Sequence, residues 1–215
     1  MSAQPAGPAG AATGPWSRPV PPPRLLTVTE YLAIGEVEPG YTELLEGQVL
    51  MSPGPAPDHN HAASEIRYQL RGRLPADLEA IQDVDVDLQL APPDAPGTVR
   101  RPDLVVAPRT ARRRVRREGG VLRASEVVVA VEILSPGSHR TDHVHKRGEY
   151  ADAGIGHYWI VDLGAAAARS GATGPVSLLA CHLAGDFGYA DGGVVTGRFI
   201  STTPFPAELD LDALL

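Results

Sequence analysis

One cysteine, Cys181, stands among the 215 residues. A single thiol excludes an internal disulfide and gives no zinc knuckle. Within Leu178-Leu179-Ala180-Cys181 it reads as a small core residue. No run of about 18 apolar residues occurs, so no membrane span is expected. The N-terminus shows no charged segment followed by an apolar one, so no secretory leader is expected and the reading is a cytoplasmic protein. A Gly-rich phosphate loop, a G-x-S-x-G elbow and a cysteine nucleophile setting are all lacking, which gives no support to nucleotide-dependent or covalent hydrolases. An excess of positive charge is lacking too. The formal net charge of -7 excludes a chain that is polycationic as a whole, while a local basic patch stays compatible with DNA.

What is present suits one enzyme-sized domain. A chain of this length buries about 70% of its extended surface on folding. Residues 1–24 carry seven prolines among small residues, a composition that builds neither helix nor ladder, so a disordered tail is expected before a domain over 25–215. In "LTVTEYLAIG", Thr27 or Thr29 can cap a short helix. "YTELLEGQVLMSPGP" reads as a hairpin turning near Glu46-Gly47. Ala62, Ala63, Ile66, Leu70 and Leu74 recur at helical spacing. "IQDVDVDLQL" alternates strictly and predicts one half-buried strand, with Asp83, Asp85 and Asp87 as a solvent-facing edge guarded by like charge. Further strands are expected at "DLVVA", 127–134, "HYWIVDL" and "PVSLLACHL", with a helix over about 141–152 and a short one at the C-terminus. The order implies an α/β or α+β domain around a mixed sheet.

Two acids break apolar strands: Asp103 in "RRPDLVVA" and Glu132 in "VVVAVEILSP". A buried carboxylate is costly unless paired or bound to metal. On neighbouring strands the two can share a divalent cation, since hard oxygen ligands suit Mg²⁺. The alternative is that Asp103 caps the turn after Pro102 and Glu132 pairs with an arginine such as Arg101. Further on, Asp142, Lys146 and Tyr150 fall at i, i+4 and i+8 on one helical face. Lys146 can orient a water or offset charge on a phosphate oxygen, or simply pair with Asp142 at the surface. Tyr150 is a candidate substrate contact beside it. The run holding Arg109, Arg112, Arg113, Arg114, Arg116 and Arg117 reads either as a phosphate track or as a solvated loop. His139 and His143, at i and i+4, are a candidate transition-metal pair. Tyr158 and Trp159 fit the core or a dimer face.

In family order, "YTELLEGQVLMSPGPAPDH", "VRRPDLVV", "VAVEILSPGSHRTDHVHKRGEYADAGIGHYWIVD" and "LDLDALL" resemble the Uma2 family. This family, once a domain of unknown function, is placed in the PD-(D/E)XK nuclease superfamily. The resemblance implies a restriction-endonuclease-like core, a central mixed sheet flanked by helices. It implies Mg²⁺, with Mn²⁺ able to take its place, and DNA as substrate of an endonuclease. Asp103 resembles the acid of the "PD" element and Glu132 the second acid, with the Ile133 carbonyl as a further metal contact. Glu46 resembles the acid of the early hairpin, and His59 the histidine that opens the helix after the "SP" turn, with His61 as the other candidate. The superfamily lysine would stand two residues after Glu132, where this chain has Leu134. Lys146 resembles the lysine that the family carries instead on the following helix. Nucleases of this fold often act as dimers, so a homodimer is one expected assembly. A protein that keeps the fold but only binds DNA is the other reading.

Overall fold

A computed structural model describes residues 24–35, 40–52, 54–134, 141–164 and 174–215; for 141–143 it describes the main chain alone. The expected tail and His139 lie outside the described residues, and so does the side chain of His143.

Helix α1 (Val28–Ile34) starts at Thr27, whose hydroxyl accepts from the Glu30 N–H while the Glu30 side chain accepts from the Thr27 N–H. This reciprocal cap settles the choice between Thr27 and Thr29. Tyr31 is buried, and its hydroxyl donates to the Thr42 carbonyl at 2.8 Å. That bond ties α1 to strand β1 (Tyr41–Leu45). β1 pairs with β2 (Gln48–Ser52) through the expected two-residue turn, with Glu46 at φ 47 and Gly47 at φ 82. Positive φ at both central residues gives the hairpin the right twist. A Cβ at position 47 would also sit 2.8 Å from the Cβ atoms of Leu25 and Pro96.

Among the described residues the central sheet has six strands in the order β11-β10-β9-β8-β6-β3. They are β3 (Leu78–Gln82), β6 (Leu104–Pro108), β8 (Val129–Leu134), β9 (His157–Asp162), β10 (Ser177–Leu183) and β11 (Tyr189–Thr196). Its pairings are antiparallel except β8 with β9. A π-helical turn over Thr141–Lys146, running into helix α4 (Arg147–Asp152), lies between those two strands in the chain. Every residue of β8 is buried, because both sheet faces are covered. Val129, Val131 and Ile133 pack with Ala62, Ala63, Ile66 and Leu70 of helix α2 (Pro57–Arg71). Ala130 and Leu134 face the other layer, with Tyr150, Tyr158 and Ile160. Trp159 packs edge-on against Phe199 in the first layer, so Tyr158 and Trp159 are core residues. Truncating Ile66 there would cost about 2–5 kcal/mol.

The second sheet, β2-β1-β5-β4-β7, adds β4 (Val86–Asp87), β5 (Val99–Arg100) and β7 (Leu122–Arg123). A third pair, β12 (Arg198–Ser201) and β13 (Ala207–Asp210), packs beside α2. This is the mixed sheet with flanking helices and early hairpin that the resemblance implies.

Two expectations change. The stretch 81–90 is not one strand. Asp83 takes φ 48, a left-handed conformation that aspartate tolerates, and the chain passes there from the central sheet into the second. Val86 and Leu88 are buried as the alternation predicts, but Asp85 is bound by Arg101 through two hydrogen bonds of 2.7 and 3.1 Å. The aspartates are therefore not a plain solvent edge. The basic run is not a loop either. It forms helix α3 (Arg109–Glu118), with Ala111 turned into the core.

Candidate active site

The antiparallel pairing of β6 with β8 matches Leu104 to Val131 and Val105 to Ala130. One step further along the same register, Asp103 stands opposite Glu132. The Asp103 Oδ2 accepts the Ile133 N–H at 2.6 Å and lies 3.1 Å from His59 Nε2. His59 reaches it from the first turn of α2, which starts at Pro57. Burial lowers the His59 pKa, but its hydrogen bond to Asp103 and the charges of Asp103 and Asp83 outweigh this and leave it raised above the ordinary histidine value. Its Nδ1 is buried without a hydrogen-bond partner among the described residues. Asp83 lies close by, its N–H donating to the Asp103 carbonyl at 3.3 Å. Burial and the Asp103 charge raise its pKa, against Arg101 and His59.

Glu132 is 3% exposed and shares the second layer with Ala130 and Leu134. Its Oε1 accepts from Lys146 Nζ at 2.9 Å and from the Tyr150 hydroxyl at 2.7 Å. Arg101, the arginine named for the alternative reading, binds Asp85, and the Asp142 side chain lies outside the described residues. Burial first, and then the Glu132 charge, push the Tyr150 pKa well above its usual value, which keeps this hydroxyl a donor. Tyr150 is fully buried, so it supports Glu132 and does not reach a substrate. That corrects its reading as a substrate contact.

Lys146 also lies 3.7 Å from Glu43 Oε1. Glu43 is buried on β1 and accepts from Arg100 NH1 and the Arg101 N–H, both at 2.9 Å. Burial raises its pKa, but Lys146 and Arg100 more than offset that and hold it below the usual carboxylate range. Arg100, itself 2% exposed, grips Glu149 with two bonds of 2.6 and 2.7 Å. Glu46 does not join this cluster. It sits exposed at the hairpin turn, where its N–H bonds Thr98. The hairpin acid that meets the site is Glu43, three residues earlier. The signal for it was positional: a carboxylate inside a strand can be buried, whereas one at a two-residue turn points to water. Arg100 and Glu149 carried no such local signal.

The basic run also falls elsewhere. It follows β6 and begins six residues, or about 20 Å, from Asp103 at strand spacing. Arg112 pairs with Glu79 at 2.6 Å and Arg114 with Glu126 at 2.7 Å, while Arg117 pairs with Glu118. Arg113 and Arg116 are exposed and have no protein partner among the described residues. His61 is exposed, so His59 is the histidine that meets Asp103.

Comparison with known proteins bears on the family and the fold. Residues 28–171 match the family model Uma2, described as "Putative restriction endonuclease". The chain belongs to the Uma2 family. The crystal structure of a "putative nuclease" of the DUF820 group from Anabaena variabilis superposes with a TM-score of 0.59 at 18% identity, covering 88% of this chain and 97% of that one. At that identity the likeness speaks for the shared fold. None of the curated proteins matches the sequence.

The Uma2 site can be tested for its fit to a metal. Among the described residues no three His, Cys, Asp or Glu side chains converge as a closed metal cage. Asp103 and Glu132 each offer hard carboxylate oxygens, and Mg²⁺ is commonly held by one or two carboxylates with water and phosphate filling the rest. Among the described residues, Glu43, Asp83, Asp85 and Glu149 surround them together with the cations Arg100, Arg101 and Lys146. Carboxylate oxygens of this kind are the donor type that a divalent cation takes.

Proposed function

We propose that this protein is a Mg²⁺-dependent endonuclease that hydrolyses phosphodiester bonds of DNA. The observation that carries the reading is the buried Glu132 with Lys146 Nζ at 2.9 Å, and the β6–β8 register, continued one residue beyond its last pair of Leu104 with Val131, sets Asp103 against Glu132. Family membership supports a nuclease-like protein.

In this reading Asp103, Glu132 and the Ile133 carbonyl would hold Mg²⁺ or Mn²⁺. The cation supplies Lewis-acid polarisation of the phosphoryl group and a more acidic water. The chain's own residues do the rest. His59 and the Ile133 N–H fix Asp103, and Tyr150 fixes Glu132. Lys146 orients the attacking water and offsets negative charge as it builds on the phosphate. Glu43, itself held by Arg100, lies 3.7 Å from the Lys146 ammonium. The lysine role is filled from a helix, and a long stem allows this because only its tip must be placed.

Asp103→Asn and Glu132→Gln, assayed separately on supercoiled and linear duplex DNA with Mg²⁺, test the reading. Both variants should lose cleavage while circular dichroism shows a retained fold. Undiminished cleavage in both overturns it. One observation favours a second reading, a DNA-binding protein without catalysis: Lys146 already lies between two carboxylates, Glu132 and Glu43. Wild type that binds duplex DNA and never cleaves it with Mg²⁺ or Mn²⁺ would decide for that one. A homodimer in the cytoplasm belongs to either reading, and light scattering on the purified chain measures the assembly.

A further inference from the structure

The mechanism leaves the arginines unused, yet they gather in one place. Helix α2 and strand β3 run side by side, and each has one end at the site. α2 begins beside His59, and β3 ends at Gln82, next to Asp83. From there both lead about 18 Å away, twelve helical residues or five strand residues. At that far end Arg67 and Arg71 of α2 meet Arg109 of α3 across a groove of about 480 Å³ floored by Leu78, Glu79 and Ala80.

The arginines of α3 divide by face. Arg109, Arg112, Arg113 and Arg116 follow i, i+3, i+4 and i+7, so they share one side of the helix. Arg109 and Arg112 both reach Glu79 on β3, at 3.5 and 2.6 Å, which turns that side toward the groove. Arg114 lies on another face, where it binds Glu126 and the Val121 carbonyl.

These cations are held but not used up. Arg67 and Arg109 are anchored through Nε, to the carbonyls of Ala80 and Ala76 at 3.2 and 3.0 Å. The terminal nitrogens of Arg67, and all those of Arg71, Arg113 and Arg116, have no protein acceptor among the described residues. Glu79 offsets one charge of the group. β3 is also the outer strand of the central sheet, pairing with β6 alone among the described residues. Between the arginines and the site, the exposed stripe of α2 continues with Ser64 and Asn60, both neutral and polar. A chain with net charge -7 thus concentrates positive charge on one edge that leads to its most acidic cluster.

We propose that this edge holds the sugar-phosphate backbone of duplex DNA on one side of the site, about five base steps from Asp103 at 3.4 Å per step along a strand. Planar guanidiniums with open N–H groups suit phosphate oxygens, and four such side chains on two rigid helices keep their spacing without help from the ligand. The assignment rests on the nuclease reading for what happens at the site, but it concerns binding and is measured apart from cleavage.

The test is fluorescence anisotropy of the full chain with a labelled 30-base-pair duplex in EDTA, over a salt series. Arg67, Arg71, Arg113 and Arg116 are changed together to Gln. A control variant changes Arg24, Arg123 and Arg198 to Gln and so removes three charges away from α2 and α3. The first variant should bind at least about tenfold more weakly, with a log–log salt slope shallower by about three, close to the expectation for lost phosphate contacts. The control should stay near wild type, and matching melting curves should show that both fold. Equal affinity and slope in the two variants overturns the track, as does a wild type that binds no DNA. A track-dependent affinity in a protein that never cleaves sustains the track and defeats the nuclease reading. Cleavage by wild type with no effect of the four substitutions does the reverse.

Discussion

Lys146 Nζ lies 2.9 Å from Glu132 Oε1, although fourteen residues separate them in the chain. The position two residues after Glu132 belongs to Leu134, which is 3% exposed and packed in the second layer. An apolar residue there closes the core, and the ammonium arrives from the helical turn that follows. Lys146→Met should therefore act on both chemistry and stability. Losing one charge-stabilising donor should lower kcat for DNA cleavage about 10²–10³-fold. Leaving the buried Glu132 without the Lys146 ammonium should cost about 3–5 kcal/mol in urea unfolding. Adding Glu132→Gln to Lys146→Met should recover part of that stability without activity, since it removes the stranded charge. A single variant that unfolds and cleaves like wild type would contradict both expectations.

The two hairpin acids should behave differently. Glu43→Ala strands the Arg100 charge against Glu149 alone and removes a neighbour of Lys146, so the urea midpoint should fall by the equivalent of about 3 kcal/mol. Glu46→Gln touches an exposed turn residue and should stay within about 0.5 kcal/mol of wild type. Cleavage rates should separate in the same order. Equal effects at 43 and 46 would remove Glu43 from the site.

His59 gives a pH signature. Its folded pKa is raised above the unfolded value near 6.5, so the protonated form favours the folded state. That contribution is complete below the unfolded pKa and fades as pH rises through the folded one. The stability difference between wild type and His59→Gln should accordingly be larger at pH 6 than at pH 9. Denaturant midpoints across that range measure it, and a difference that grows toward alkaline pH would reverse the sign.

Metal binding can be read without DNA. A cation that binds only the folded chain adds about 2.7 kcal/mol at a hundred times its dissociation constant. For a domain of this size that raises the melting temperature by about 5–10 °C. Mg²⁺ or Mn²⁺ should produce such a rise in wild type and not in Asp103→Asn or Glu132→Gln. An equal rise in all three would put the cation elsewhere.

Much of the fold was readable because it is local. The α2 spacing of Ala62, Ala63, Ile66 and Leu70, the apolar run of β8 and the turn at Gly47 each follow from neighbours in the chain. His59, Asp103, Glu132 and Lys146 were nominated by motif resemblance, and the structure joins them as two pairs, His59 with Asp103 and Lys146 with Glu132. Glu43 was hidden because its burial depends on β1 meeting β5, Leu44 opposite Val99, a pairing between segments more than fifty residues apart. Arg100 sits in a strand of two residues that no periodicity reveals. The break at Asp83 is a single dihedral inside an unbroken alternation, so the pattern ran straight through it. Tyr150 kept its helical position, yet only the packing of Tyr158 against it, rings 5.2 Å apart, shows that it faces inward.

The bond from the Ile133 N–H to Asp103 has a meaning beyond the site. Side chains in a strand alternate faces, so sliding β8 by one residue against β6 would carry Glu132 into the layer of α2 and bring an aliphatic side chain opposite Asp103. The carboxylate just before β6 accepts one main-chain amide of β8 in the native alignment. A chain that pairs one residue out of register would set an aliphatic side chain against Asp103 and so lose the arrangement on which the proposed cation site depends.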